Sequence, residues 1–185
     1  MVCFLVGTGF EEMELIAPCD ILRRGGVEVC LAGIGGKAIK GSHGITIQTE
    51  VTVEEIDPET LEMIVLPGGL GGVASIRGSI PAMDAVKTAY KAGKFVAAIC
   101  AAPTILAELG ITDGKEAVCY PGMEGEMGGA IVRDADATAD GKVICGRAAG
   151  AAIPFGLELL KALRGNEAAE NVRRGIVYTG GKTHE

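Results

Sequence analysis

The sequence has no surplus of positive charge: 17 basic against 24 acidic residues leave a formal net charge of −7. That removes the electrostatic footprint expected of a nucleic-acid binder or of a protein held on acidic lipid. None of its six cysteines falls in a CxxC spacing, so no metal site of the zinc type is expected. GxGxxG and GxxxxGK[ST] are both missing, and no nucleotide cofactor is implied. The first residues, MVCFLVGTGFEE, offer neither a basic n-region nor an apolar run long enough for a signal sequence or a membrane span. The expected location is therefore the cytoplasm, where thiols stay reduced. Internal repeats and low-complexity linkers are absent as well. What remains, 185 residues of which 48% are hydrophobic, suits one globular domain over residues 1–185 with a sizeable core.

Short β-rich runs alternate with helical patterns, the arrangement that yields a mostly parallel sheet with helices on both faces. Strands are expected at 2–7 (VCFLVG), 27–32, 45–49, 62–66, 94–99 (KFVAAI) and 142–146. Helices are expected at 12–25, 80–92, 102–109, 150–163 and 167–174, several closed by glycine. Glycines cluster at 33–36, 68–72 and 122–129 and read as loops. Residues 111–140 read as short strands and loops over one edge of the sheet.

In open α/β sheets chemistry collects beyond the carboxyl ends of the strands. That rule places GTGFEE (7–12), LPGGLGG (66–72) and ICAAPT (99–104) on one rim. Cys100 follows KFVAAI directly, and Pro103 suits a helix start just after it. Helix N–H groups there are expected to stabilise a thiolate, lower its pKa and hold an oxyanion. The competing reading is a small cysteine that only packs. Glu14 shares a helical stripe with Pro18, Ile21 and Leu22, whereas Asp20, Arg23 and Arg24 fall elsewhere. A carboxyl on that apolar face loses hydration, stays protonated and can donate a hydrogen bond to a thiolate. Glu11 and Glu12 read instead as solvated glutamates that favour the helix dipole.

The segments GFEEMELIAPCDILRRGG, MIVLPGG, KFVAAICAAPTILAELG and KVICGRAAGAAIPFGLELLKALRG, in this order and spacing, resemble the DJ-one/ThiJ/PfpI superfamily, in particular its DJ-one and YajL-type branch. The resemblance implies a flavodoxin-like three-layer α/β/α sandwich, a homodimer, and a nucleophile elbow carrying Cys100 with Glu14 as its protonated partner. It implies that the backbone N–H groups of Gly69 and Ala101 face the thiol and that Arg147 and the loop after it flank the site. Where relatives carry histidine before a proline, this chain has Tyr120, which either packs or orients a substrate carbonyl. His43 stands where relatives often carry an arginine reaching the partner subunit's site; it either does likewise or is a solvated loop residue. His184 reads as tail, and Cys119 is a possible resolving thiol. Ala101 after the cysteine, where protease-like relatives carry histidine, disfavours a peptidase.

The expected activity is cofactor-independent: a glyoxalase or protein deglycase acting on reactive dicarbonyls such as methylglyoxal through Cys100 and Glu14. The alternative is a cysteine-based oxidative-stress sensor or redox-regulated chaperone, in which Cys100 reaches the sulfinic acid. A fold relative in which Cys100 has no catalytic role is the third reading. The first helix with segment 41–47 is the expected dimer surface.

Overall fold

The computed structural model describes residues 1–180. In chain order the elements are β1 (Val2–Val6), α1 (Glu12–Arg24), β2 (Val29–Gly33), β3 (Ala38–Lys40), β4 (Thr46–Gln48), β5 (Val51–Thr52) and β6 (Met63–Leu66). Then follow α2 (Leu70–Arg77), α3 (Ile80–Lys91), β7 (Phe95–Ile99), α4 (Pro103–Glu108), β8 (Glu116–Ala117), β9 (Ile131–Val132), β10 (Ala137–Asp140) and β11 (Val143–Gly146). Helices α5 (Ala152–Arg164) and α6 (Asn166–Gly175) close the fold.

Seven strands form one sheet in the order β10-β11-β7-β6-β1-β2-β5. Every pairing in it is parallel except β10 with β11. Strand periodicity sorts the side chains between two cores. Cys3 and Leu5 of β1 join Ile64, Leu66, Val86 and Ile105 on one face, while Val2, Phe4 and Val6 join Leu15, Leu22, Phe155 and Leu159 on the other. These side chains are almost wholly buried, and each such large apolar group contributes roughly 1.5–3 kcal/mol. Both sheet faces are thus covered, giving the three-layer α/β/α sandwich.

Two sequence expectations change. The 45–49 run does form a strand, but β4 pairs with β3 in a separate antiparallel hairpin and never enters the main sheet. The glycine-rich LPGGLGG is not all loop, because α2 starts at Leu70. Gly71 and Gly72 lie in its first turn, against the backbone of Gly9 and Phe10, where a Cβ would come within 3.0 and 2.8 Å of the respective Cα atoms. Missing side chains let the loop after β1 lie flat on the helix, which offsets the usual cost of helical glycine.

Candidate active site

Strands β1, β6 and β7 lie side by side, so their carboxyl ends deliver Gly7–Glu11, Pro67–Gly69 and Cys100 to one place. Cys100 has φ 68°, in the left-handed region that the close approach of Cβ to the carbonyl oxygen makes costly by roughly 1–2 kcal/mol. Its neighbours hold it there: Cys100 N–H donates to the Gly146 carbonyl (2.9 Å) and its own carbonyl accepts from Tyr120 N–H (2.7 Å). A sharp strand-to-turn elbow with both backbone groups satisfied presents the sulfur to the cavity.

Glu14 comes up beneath the sulfur from the first turn of α1 and is 0% exposed. Its Oε2 accepts from Gly68 N–H at 3.0 Å. Oε1 is buried without a partner of good hydrogen-bond geometry, and the carboxyl faces the Cys100 thiol. Burial pushes the Glu14 carboxyl up to about 7, against the opposing pull of the thiol and of the Gly68 N–H. At neutral pH this group exists in both forms and can give or take a proton.

The thiol departs from the sequence expectation. Burial, then the charge of Glu14, pushes Cys100 up to about 12, and the N–H groups of Gly69 and Ala101, which point at the sulfur, only partly offset this. A lowered pKa from a helix N-terminus does not materialise because α4 begins three residues later, at Pro103, which has no N–H to offer. The resting pair is therefore a thiol beside a carboxyl poised near neutrality.

The cavity in front of the sulfur has a volume of about 370 Å³ and is walled by Glu11, Gly69, Leu70, Ala101, Tyr120, Met123 and the stretch Ala148–Gly150, besides the pair itself. Apart from Glu11 and Glu14 its lining is uncharged. Tyr120 is 49% exposed on this wall rather than packed in the core.

Other expected site residues stand apart from it. Arg147 turns away: its Nη1 pairs with Asp134 Oδ1 at 2.7 Å, and it lines a neighbouring cavity with Cys119, Glu124 and Arg133. Only the loop following Arg147 reaches the Cys100 cavity. Cys119 is 3% exposed, and burial pushes its thiol up to about 11, so within the chain it stands behind Tyr120 and not in the cavity. His43 lies outside the cavity of its own chain, with Nδ1 3.1 Å from Glu12 Oε2 and 3.3 Å from Glu11 Oε2. That pairing, Glu12 first, raises the pKa of the exposed His43 ring. Glu12 is a further correction. It is buried, not solvated, because its carboxylate accepts from His43 N–H (2.8 Å) and Ser42 Oγ (3.1 Å) and so ties the 41–45 loop to α1. These contacts hold it down at about 2 in spite of burial. Glu11, Glu12 and His43 bring ligand-type atoms within 4.8 Å, but Glu12 already spends both oxygens on the loop. His184 lies outside the described residues. No helix among the described residues is long and apolar enough to cross a membrane.

The loop after Arg147, expected to flank the site, does so through Ala148–Gly150. Glu11 and Leu70 lie in the rim segments 7–12 and 66–72 although the sequence does not single them out, and Met123 is the wall that sequence reasoning misses, since no local pattern marks it.

The DJ-1/PfpI family profile matches residues 1–162, a span that includes Glu14 and Cys100. The chain belongs to the DJ-1/PfpI family. Among DJ-1/PfpI proteins, the dj-1beta protein of Drosophila melanogaster is 35% identical over 94% of both chains. Its crystal structure superposes with a TM-score of 0.89, covering 95% of this chain and 96% of that one at 33% identity. A deglycase of Pyrococcus abyssi is 33% identical over 88% of this chain and 99% of its own. The structure of oxidized Toxoplasma gondii DJ-1 matches with a TM-score of 0.92 at 28% identity, covering 96% of this chain and 98% of that one. The fold is the flavodoxin-like sandwich of these DJ-1/PfpI neighbours.

Proposed function

We propose that the chain is a cofactor-independent, deglycase-like enzyme that converts reactive dicarbonyls such as methylglyoxal through Cys100 and Glu14. The single observation that carries this is the fully buried Glu14 carboxyl, poised near pH 7 and facing a cysteine on a strained elbow. Relatives named deglycases support the same class.

The pKa order sets the sequence of steps. Ionised Glu14 takes the Cys100 proton as sulfur adds to the aldehyde carbon, so the C–S bond forms while the C=O π pair moves to oxygen. The N–H groups of Gly69 and Ala101 receive the developing oxyanion. Glu14, now protonated, returns the proton to that oxygen and leaves a neutral hemithioacetal. It next removes the proton from the former aldehyde carbon, so the C–H pair becomes the C=C bond of an enediolate and the ketone π pair moves to its oxygen. That oxygen takes the proton of the neighbouring hydroxyl, and as the C=O bond re-forms there, Glu14 protonates the adjacent carbon to give a thioester of the α-hydroxy acid. Water cleaves that thioester, releasing the acid and restoring the thiol. The net change is dicarbonyl plus water to α-hydroxy acid, with no external oxidant or reductant.

A second reading, an oxidation sensor centred on Cys100, draws support from the oxidized Toxoplasma relative. Peroxide reacts with thiolate, and burial and Glu14 raise the Cys100 thiol, so oxidation too would need Glu14 to take the Cys100 proton. Our reading also includes a homodimer and a cytoplasmic location. The dimer is supported by Met13, Ile16 and Ile45, large apolar side chains left 57%, 48% and 57% exposed on α1 and the adjoining hairpin, and the location by six free cysteines.

The deciding experiment measures lactate formation from methylglyoxal, with chiral detection, for the wild type, Cys100→Ser and Glu14→Gln. We expect enzymatic lactate from the wild type and a loss of about 10²–10⁴-fold in each variant. Equal rates in all three, with peroxide still converting Cys100 selectively to the sulfinate, would remove the enzyme and leave the sensor.

A further inference from the structure

Two cysteines far from the Cys100 cavity stand opposite one another. Strands β1 and β2 pair in parallel, and their register sets Cys3 directly beside Cys30. Register-paired residues of neighbouring parallel strands project to the same sheet face, about 4.8 Å apart between strands. That separation falls within the Cα range that a disulfide spans, roughly 4.4–6.8 Å. Both thiols are free, and each Sγ lies 3.9 Å from the carbonyl oxygen of the residue that follows it, Phe4 for Cys3 and Leu31 for Cys30.

The two positions differ in access. Cys3 is 0% exposed, sealed in the core on the α3 side of the sheet, whereas Cys30 is half-buried. β2 is flanked outward only by the two-residue β5, which pairs with Ala32 and Gly33 and so leaves Cys30 without a strand beyond it. The charged groups acting on Cys30 are Arg23, Glu28 and Glu50. The pairing divides the roles: beside Cys3, Cys30 is lowered in spite of burial and of the Glu50 and Glu28 carboxylates, while Cys3 is raised by Cys30 and by burial. The accessible sulfur is thus also the better anion.

We propose that Cys3 and Cys30 form a reversible disulfide in response to hydroperoxides, with Cys30 as the attacking and Cys3 as the resolving thiol. The Cys30 thiolate attacks one oxygen of the hydroperoxide, so an S–O bond forms as the O–O bond breaks. The leaving alkoxide or hydroxide takes a proton, and Cys30 is left as the sulfenic acid. The Cys3 sulfur then displaces that oxygen: the S–S bond forms, the S–O bond breaks, and hydroxide leaves with the Cys3 proton as water. Two thiols are oxidised and one peroxide is reduced. Because the two Cα–Cβ bonds run side by side rather than toward each other, the bridge is strained and easily reduced, as regulatory disulfides are.

The test uses the full chain with Cys19→Ser and Cys100→Ser, so that neither the cavity thiol nor the other cysteine of the first tryptic peptide contributes. After dilute hydrogen peroxide and alkylation, we expect a mass loss of about 2 Da before alkylation, disappearance of two free thiols, and a link between peptides 1–23 and 25–37 in a non-reducing digest. Millimolar dithiothreitol should reverse all three. Adding Cys30→Ser should abolish them, and the circular-dichroism spectrum of that variant checks that it still folds. An unchanged mass, oxygen added at Cys30 with no cross-link, or a cross-link through Cys119 or Cys145 would each overturn the proposal.

Discussion

Gly68 donates its backbone N–H to Glu14 Oε2 at 3.0 Å from a position where any Cβ would collide with both that oxygen and the Cys100 Cβ. One residue without a side chain therefore fixes the separation of the proposed acid–base group and the nucleophile. Its φ is not in the left-handed region, so the demand is for space and not for backbone freedom.

Gly68→Ala is accordingly expected to fold and to lose activity. The added methyl wedges the carboxyl away from the sulfur, and a displacement of about 1 Å at a reacting pair costs on the order of 100-fold. The stability cost of overpacking is about 1–3 kcal/mol. Measuring kcat/KM for methylglyoxal beside urea unfolding separates the two; an alanine variant with wild-type kcat/KM would show that the spacing is not needed.

Glu14 should make the fold less stable as pH rises. Its pKa is about 7 in the folded protein against an ordinary 4.5. The unfolded chain therefore gives up this proton first, and between these values stability falls with pH, reaching its full cost of about 3 kcal/mol above pH 7. Glu14→Gln removes that dependence while every other titrating group stays common to both proteins. Urea unfolding at pH 5 and pH 8 should show the variant gaining on the wild type by about 2–2.5 kcal/mol between the two, since part of the cost is already present at pH 5. A pH-independent difference would mean that Glu14 is not perturbed.

What the sequence made legible was periodicity and its consequences. Val2–Val6, Met63–Leu66 and Phe95–Ile99 are uninterrupted apolar strands, and their adjacent carboxyl ends assemble the cavity. The stripe from Glu14 through Pro18, Ile21 and Leu22 is buried on one side of α1 as its spacing required, with Asp20, Arg23 and Arg24 outside. Features decided by tertiary contact were not legible. Glycines at 71 and 72 argue against a helix until the backbone of Gly9 and Phe10 is laid upon them. The direction of the Cys100 shift depends on how deeply the rim is sealed, and Arg147 turns aside because Asp134 lies beside it; neither is encoded in local spacing.

The last prediction concerns the surface that the single chain leaves apolar. Met13 and Ile16 occupy the outer side of α1, and Ile45 follows the turn that Glu12 ties to that helix through His43 and Ser42. The patch is thus rigid, which lowers the ordering cost of association. His43, 71% exposed beside it, would be carried by the same contact to the partner subunit. Met13→Glu with Ile45→Glu puts unpaired carboxylates at the centre of such an interface, whose burial costs several kcal/mol. Sedimentation equilibrium should therefore find a wild-type dimer and a monomeric double variant, with unchanged circular dichroism. If the wild type sediments as a monomer at micromolar concentration, the apolar patch is not a self-association surface, and His43 has no route to a second Cys100 cavity.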